Sequence, residues 1–493
     1  MIHIPVLLKL APQIPTLRII ICLDSLDDGE KPGYSKLAIL NGIAANVGIT
    51  IYQMLDVEAI GSESNLPMRP PHPEDIATIS YTSGTTGNPK GVVLTHAAAT
   101  AAASTALVVS GLMSNSDVGC SYLPLAHIYE RVTEHAALFS GSAIGYFHGD
   151  ILGLVDDMKL LRPTTFISVP RLYNRFGSAI KAATIDAPGV KGTISRHIID
   201  GKLASMKLPF GKANNRHTLY DRIWTPKVTS AFGLQRCRRM VSGSAPLDPS
   251  LHQFLRAAFG NEFMQGYGLT ETYAVGLCQS PDDFSTGTCG GLGPATEACL
   301  QSVPDMDYLV TDNPRPRGEL LLRGTTLFRE YYKSEKETAK AMTEDGWFRT
   351  GDIAEVDAVG RFSIIDRVKN VLKLSQGEYV SPERIENVYL ANSNLFSQAY
   401  VHGNSTQAFL VSIFGIDPVT FAPFASRILN RTINSTDIVA VKDAAQDPRI
   451  RKACLKVLDD IGKKSKFNSY ERVKAVHLEI DPFTIENELL TPT

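Results

Sequence analysis

The stretch YTSGTTGNPKGVVLTH, Tyr81 to His96, is a loop framed by two runs that alternate or cluster apolar residues as strands do. Gly84, Gly87 and Gly91 remove side chains where a backbone must approach a ligand closely. Between them Thr82, Ser83, Thr85 and Thr86 offer hydroxyls, and Lys90, after the Asn88-Pro89 turn, supplies a mobile positive charge. Donors of these kinds in this order suit the phosphates of a nucleotide. The string is not a Walker A loop, because Lys90 follows Gly87 by three residues and precedes Gly91 instead of a helical hydroxyl. The plainer alternative is a flexible surface loop rich in small residues.

Working outward, Ile76 to Thr82 and Val92 to Leu94 are the flanking strands, and Thr95 is the expected N-cap of a packed, alanine-rich helix over 97–113. Upstream, the continuously apolar Leu17 to Leu23 predicts a buried strand and Leu37 to Val47 a helix, which together suggest an α/β layer. Pro67, Pro70, Pro71 and Pro73 make 67–74 a rigid connector.

Downstream, Tyr122 to Val132 (YLPLAHIYERV) contains His127, a candidate carboxylate contact whose alternative is a structural histidine. Ile167 to Phe176 starts as a strand and turns at Pro170, and Arg171 and Arg175 suit a solvated helix face. Residues 189–246 read as basic and looped in their middle, ending in the small, turn-prone Ser242-Gly-Ser-Ala-Pro.

Gln265 to Thr272 (QGYGLTET) carries more chemistry. Gly266 and Gly268 flank Tyr267, whose ring could stack on a base, and Thr270 and Glu271 place a hydroxyl beside a carboxylate, oxygen ligands of the kind a magnesium–phosphate needs. Asp352, in DGWFRTGD, can accept from two ribose hydroxyls or simply cap a turn. After Phe362 a strand runs into a charged bend, and Ser381-Pro-Glu-Arg predicts a helix with Ser381 as N-cap. The last third mixes strands such as 407–414 with helices such as 450–462, and Lys463, Lys464 and Lys466 read as solvated surface.

Length and composition set the frame. The 493 residues suffice for two to four domains, and a net charge of −2 with 20% charged residues gives no electrostatic case for nucleic acid. Seven cysteines without a CxxC pair predict reduced thiols and an intracellular, cytoplasmic home. No run is long and apolar enough to predict a transmembrane segment, and the N-terminus lacks the marks of a signal peptide.

The phosphate loop, GYGLTET, RTGD and the Asp366-Arg367 bend, taken in order, resemble the adenylate-forming, or AMP-binding, superfamily. PLAHIYERV, SVPRLYNR, the 189–224 insertion, VSGSAPL and LSQGEYVSPERIE further resemble the eukaryotic long-chain fatty acyl-CoA synthetases. That resemblance implies an α/β fold with a large domain (1–366) of stacked α/β layers and a small β-barrel portion. A small mobile α+β domain (367–493) follows, with a hinge at 366–371.

It also implies ATP, Mg2+ and coenzyme A as co-substrates or cofactors and a fatty acid or related carboxylic acid as substrate. Residue by residue, it places Thr82, Ser83, Gly84, Thr85, Thr86, Gly87 and Lys90 at the pyrophosphate, and Gly243, Ser244, Ala245, Gly266, Tyr267 and Gly268 around the adenine. Thr270 would meet the α-phosphate, Glu271 the magnesium, Asp352 and Arg367 the ribose, and His127 the acyl carboxylate. Asp366 would be the hinge, and Gly377 would border the coenzyme A tunnel. Peripheral attachment to endoplasmic reticulum, lipid droplet or peroxisome stays open, as do another carboxylic acid, a carrier-protein acceptor and a non-catalytic binding role. Finally, the resemblance implies an α/β portion preceding Met1 and, past the closing Asn487 to Thr493, a lysine that serves adenylation; within these 493 residues adenylation is expected to be reduced or lost.

Overall fold

The computed structural model describes residues 3–489 except 30, 32, 83–88, 112, 210, 369–371, 377, 482, 485, 486 and 488. The phosphate loop from Ser83 to Gly87, residues 369–371 of the hinge and Gly377 therefore lie outside the described residues. The chain separates into two compact units, Met1–Pro71 and His72–Thr493, divided inside the expected proline-rich connector.

In the first unit, strands Ile19–Cys22 and Thr50–Gln53 pair in parallel, with Ile20 opposite Ile51. Helix Lys36–Ala45 makes the crossover, its N-terminus capped by the Ser35 side chain accepting from the Ala38 amide. Ile4, Leu8, Ile20, Ala44 and Ile51 form its core. The first strand is shorter and less buried than its apolar run predicts. Ile20 is 8% exposed, but Ile19 and Ile21 are 54% and 48% exposed, because alternate side chains of a strand face opposite ways and only one face is covered.

The second unit opens with an antiparallel pair, Ile76–Thr82 against Lys90–Thr95, in which Thr82 lies opposite Lys90. Glu330–Tyr331 pairs with the other edge of Lys90–Thr95. Thr95 caps helix His96–Ser110 as expected, and the helix stops at Gly111, whose φ of +51° continues no helix.

The larger sheet has five parallel strands in the order Ala143–Tyr146, Val118–Ser121, Thr165–Ser168, Arg239–Ser242 and Glu262–Tyr267, extended by Leu277–Cys278 and Gly291–Leu292 in the antiparallel sense. Phe166, Tyr173, Phe176, Met240, Leu255 and Phe263 fill the layer between this sheet and its helices. The carboxyl ends of the strands at Ser168, Ser242 and Tyr267 share one edge, the place where parallel α/β sheets bind ligands.

The middle of 189–246 is looped over 211–219, as expected, but the part before it is not. Gly189–Met206 is a helix of 18 residues with Gly192, Ser195, Ile198, Ile199, Lys202 and Met206 on its buried side. The spacing is helical, but small residues and a lysine occupy positions where a periodicity argument looks for aliphatic ones. Lys202 is tolerated there because its ammonium donates to the Ala257 carbonyl and Thr225 hydroxyl and pairs with Asp221.

An antiparallel sheet of four strands, Thr296–Gln301, Arg317–Gly324, Phe348–Val356 and Phe362–Arg367, is the small β portion. Beyond it, strands Phe396–His402, Val411–Ile416 and Ala475–Glu479 pack with helices Pro382–Asn392, Pro418–Leu429, Ile438–Gln446 and Pro448–Lys464 around Ile385, Tyr389, Phe414, Phe421 and Leu458. Ser381 stands at the cap position of Pro382–Asn392, yet its side chain makes no capping bond and engages the Asp366 carboxylate instead. All seven cysteines are free thiols. Among the described residues no helix is long and apolar enough to cross a membrane.

Candidate active site

The turn after strand Arg239–Ser242 fixes one wall of the site. A Cβ on Gly243 would stand 2.9 Å from the Tyr129 ring, so only glycine lets the backbone run here, and Ser244 follows with a left-handed φ of +71°. Strand Glu262–Tyr267 ends beside it. Gly268 lets the chain turn under the Ala274 carbonyl, which any Cβ would strike, and the short helix Thr270–Thr272 then presents Thr270 and Glu271.

Tyr267 donates its phenol proton to Asp352 Oδ2 at 2.6 Å, and Arg367 Nε pairs with Asp352 Oδ1 at 3.0 Å. Asp352 is 3% exposed. Burial pushes its carboxyl upward from the usual range, opposed by the Arg367 charge and the Tyr267 hydrogen bond. Arg367 also faces Glu383 at 3.8 Å. Tyr267, Asp352, Arg367 and Glu383, separated in sequence, thus form one polar cluster.

A second cluster surrounds Glu271. The Tyr331 hydroxyl donates to Glu271 Oε1 at 2.7 Å, and the Lys90 ammonium sits 5.0 Å from the centre of the Tyr331 ring. Lys90 Nζ pairs with Glu337 Oε2 at 2.6 Å. Burial raises the Glu271 carboxyl above its ordinary range, with Tyr331 and the Lys90 charge acting the other way. Pairing of the Glu330–Tyr331 strand with Lys90–Thr95 is what brings Tyr331 to Lys90.

His127 is the N-cap of helix Ile128–Ser140, where its Nδ1 accepts from the Tyr129 amide at 3.2 Å. That bond assigns the proton to Nε2. Burial lowers the imidazole pKa, so His127 stands as a neutral donor. Asp366 accepts from the Tyr308 hydroxyl at 3.0 Å, and burial raises its carboxyl.

A cavity of about 470 Å3 joins these parts. Thr82, His127, Gly243, Ser244, Gly266, Tyr267, Gly268, Thr270 and Arg367 line its polar side. From there it runs between helices His96–Ser110 and Ile128–Ser140, past Thr105, Val109, Val132 and Ala136, as an apolar channel. Ala245, Lys90, Glu271, Asp352 and Asp366 do not line it; Lys90 and Glu271 meet through Tyr331, while Asp352 reaches it through Tyr267 and Arg367.

Residues 4–332 match the AMP-binding enzyme family. The chain belongs to that family. It is 58% identical, over all of its own length and 69% of the relative's, to the peroxisomal acyl-CoA ligase 891 of Penicillium roqueforti. It is 39% identical, over 99% of its length and 66% of the relative's, to the peroxisomal long chain acyl-CoA synthetase 7 of Arabidopsis thaliana. Among solved structures, the A-PCP didomain of a carboxylic acid reductase from Segniliparus rugosus, in complex with AMP, superposes with a TM-score of 0.74 at 24% identity. That match covers 99% of this chain and 61% of the other, and at this identity it supports the fold alone. The chain thus spans about two thirds of the length of these curated relatives.

Sequence reasoning missed Tyr331, Glu337, Glu383 and Tyr129. Tyr331 and Glu337 sit in no motif, Tyr129 and Glu383 sit in motifs that gave them no role of their own, and each matters through a partner elsewhere in the chain.

Proposed function

We propose that this chain serves the activation of a long-chain fatty acid by ATP and its transfer to coenzyme A. The observation that carries the reading is a single cavity whose polar end gathers Gly243, Ser244, Tyr267, Thr270, His127 and Arg367 and whose other end is an apolar channel between two helices. A nucleotide fits the first and a hydrocarbon chain the second. The long-chain synthetases among the relatives add support for the acyl class.

In this reading a carboxylate oxygen attacks the α-phosphorus of ATP and the bond to pyrophosphate breaks, giving the acyl-adenylate. The coenzyme A thiolate then attacks the acyl carbonyl and AMP leaves. Asp352 and Arg367 hold the ribose, and the backbone at Gly243, Ser244 and Ala245 with Tyr267 flanks the adenine. Thr270 donates to the α-phosphate, while Thr82, the 83–87 loop and Lys90 bind the pyrophosphate side, where oriented donors favour the developing charge. Neutral His127 donates from Nε2 to the acyl carboxylate without neutralising its nucleophilic charge.

Glu271 fits a magnesium ion as one hard oxygen ligand among phosphate and water oxygens, and its upward-shifted carboxyl is a group that a cation would return to the ionised form. The ion would supply charge neutralisation on the triphosphate. Asp366 is the hinge about which residues 367–493 move between the two steps, and Gly377 borders the thiol's path.

Acid-dependent ATP–pyrophosphate exchange across chain lengths, followed by a coenzyme A-dependent product assay, tests the reading. Exchange with long straight-chain acids and thioester formation support it. Exchange with short or aromatic acids only overturns it, and brisk exchange by the 493-residue chain overturns the expectation that adenylation is reduced here.

A further inference from the structure

A second groove, of about 710 Å3, shares no lining residue with the first cavity. Helices Pro170–Ala183 and Gly189–Met206 and the segment 219–232 wall it in. Its floor is buried, with Ile180, Ile198 and Val228 at 2%, 5% and 7% exposure, so the apolar surface sinks into the fold. Its rim keeps Ile194, Leu219 and Ile223 more than half exposed. A recessed hydrocarbon surface of this size has the dimensions of a small-molecule site, roughly 300–1,000 Å3.

The polar groups in the groove are mostly engaged. The Trp224 indole N–H donates to Ser195 Oγ at 3.1 Å, and the Thr184 hydroxyl donates to the Ile180 carbonyl at 2.5 Å. Lys191 and Lys227 differ: both line the groove, both are exposed, and neither has a carboxylate partner among the described residues. Their surroundings carry the same sign. Between 189 and 231 there are eight lysines and arginines against Asp200 and Asp221, and Asp221 is already taken by Lys202. An apolar trough with unpartnered cations at its edge selects an amphiphilic anion.

We propose that this groove binds one monomeric long-chain fatty-acid anion, its hydrocarbon along Ile194, Ile198, Leu219, Ile223 and Trp224 and its carboxylate at Lys191 and Lys227. The site is separate from the catalytic cavity and does not depend on the ligase reading.

Trp224 makes the test direct. The sequence has two tryptophans, so Trp347→Phe leaves Trp224 as the sole indole reporter. The probe is a brominated palmitic acid held below its micellar concentration, with and without a non-hydrolysable acyl-sulfamoyl adenosine in the first cavity. The expected result is saturable quenching of Trp224 that survives the adenosine mimic and becomes about tenfold weaker in Lys191→Glu/Lys227→Glu, exposed sites whose folding is checked by melting temperature. Absence of quenching, its loss to the mimic, or its persistence after charge reversal overturns the proposal. Quenching by vesicles of brominated anionic phospholipid but not by the monomer also overturns it, and assigns the face to a bilayer.

Discussion

Tyr267 and Asp352 lie 85 residues apart in sequence and share a 2.6 Å hydrogen bond. It links the end of a parallel strand to the antiparallel sheet and leaves Arg367 to satisfy the other carboxylate oxygen. Asp352→Ala should weaken both ATP and AMP, because it removes a ribose acceptor and strands Tyr267 and Arg367. Charge-assisted bonds of this kind contribute roughly 1.5–3 kcal/mol each, so affinity should fall by at least about tenfold in titration calorimetry. Equal affinity of the variant and the parent would remove Asp352 from the nucleotide site.

Lys90 is held by Glu337 at 2.6 Å, while electrostatics place it within influence of Glu271. Lys90→Ala is expected to weaken ATP more than AMP, since only ATP carries the outer phosphates. Glu337→Gln should act in the opposite direction, strengthening ATP by about two- to fivefold with AMP unchanged, because the ammonium no longer has to leave an ion partner. The comparison of the two nucleotides by calorimetry decides it.

Ala136 lines the apolar channel and is 4% exposed. Ala136→Leu would fill part of that channel. If the channel takes the acyl chain, preference should move toward shorter straight-chain acids, each lost methylene contact costing ~0.8 kcal/mol, about fourfold in affinity. An unchanged chain-length profile in the exchange assay would place the acyl chain elsewhere.

Glu130 has 2% exposure, and burial raises its carboxyl from 4.5 to about 7. The folded state therefore holds this proton more tightly than the unfolded state, and stability falls as pH rises from about 4.5 to about 7. Glu130→Gln removes that loss. The variant should exceed the parent by about 3 kcal/mol at pH 8 and match it near pH 4.5, read from urea denaturation at each pH. A constant difference across that range would show that ionisation of Glu130 is not responsible.

The features legible in sequence were those whose chemistry is local. Thr95 announces its helix because a cap acts within three residues, and the glycines around Tyr267 mark a turn whose constraint is their own backbone. Tyr331 was invisible because its partner Glu271 is 60 residues away, and Glu337 because Lys90 is 247 residues away; the pairing of Glu330–Tyr331 with Lys90–Thr95 carries the first into place and helix Glu335–Ala341 the second. The helix at Gly189–Met206 was hidden for another reason, since Gly192, Ser195 and Lys202 on its buried side defeat a pattern built on aliphatic residues. Leu17–Leu23 erred the other way: an apolar run predicts burial, but one partner strand covers only one face.

The free cysteines carry a practical consequence. Burial pushes the thiols of Cys120, Cys237, Cys278 and Cys454 up to about 12 and that of Cys289 to about 11. At neutral pH only about one thiol in 10^4 to 10^5 at these positions is the reactive thiolate, against a few per cent for an unperturbed cysteine. Alkylating reagents must then wait for the surrounding layers to open. The rate at which these five sulfurs are modified is a clock, built into the chain, that times how often each part of the fold comes apart.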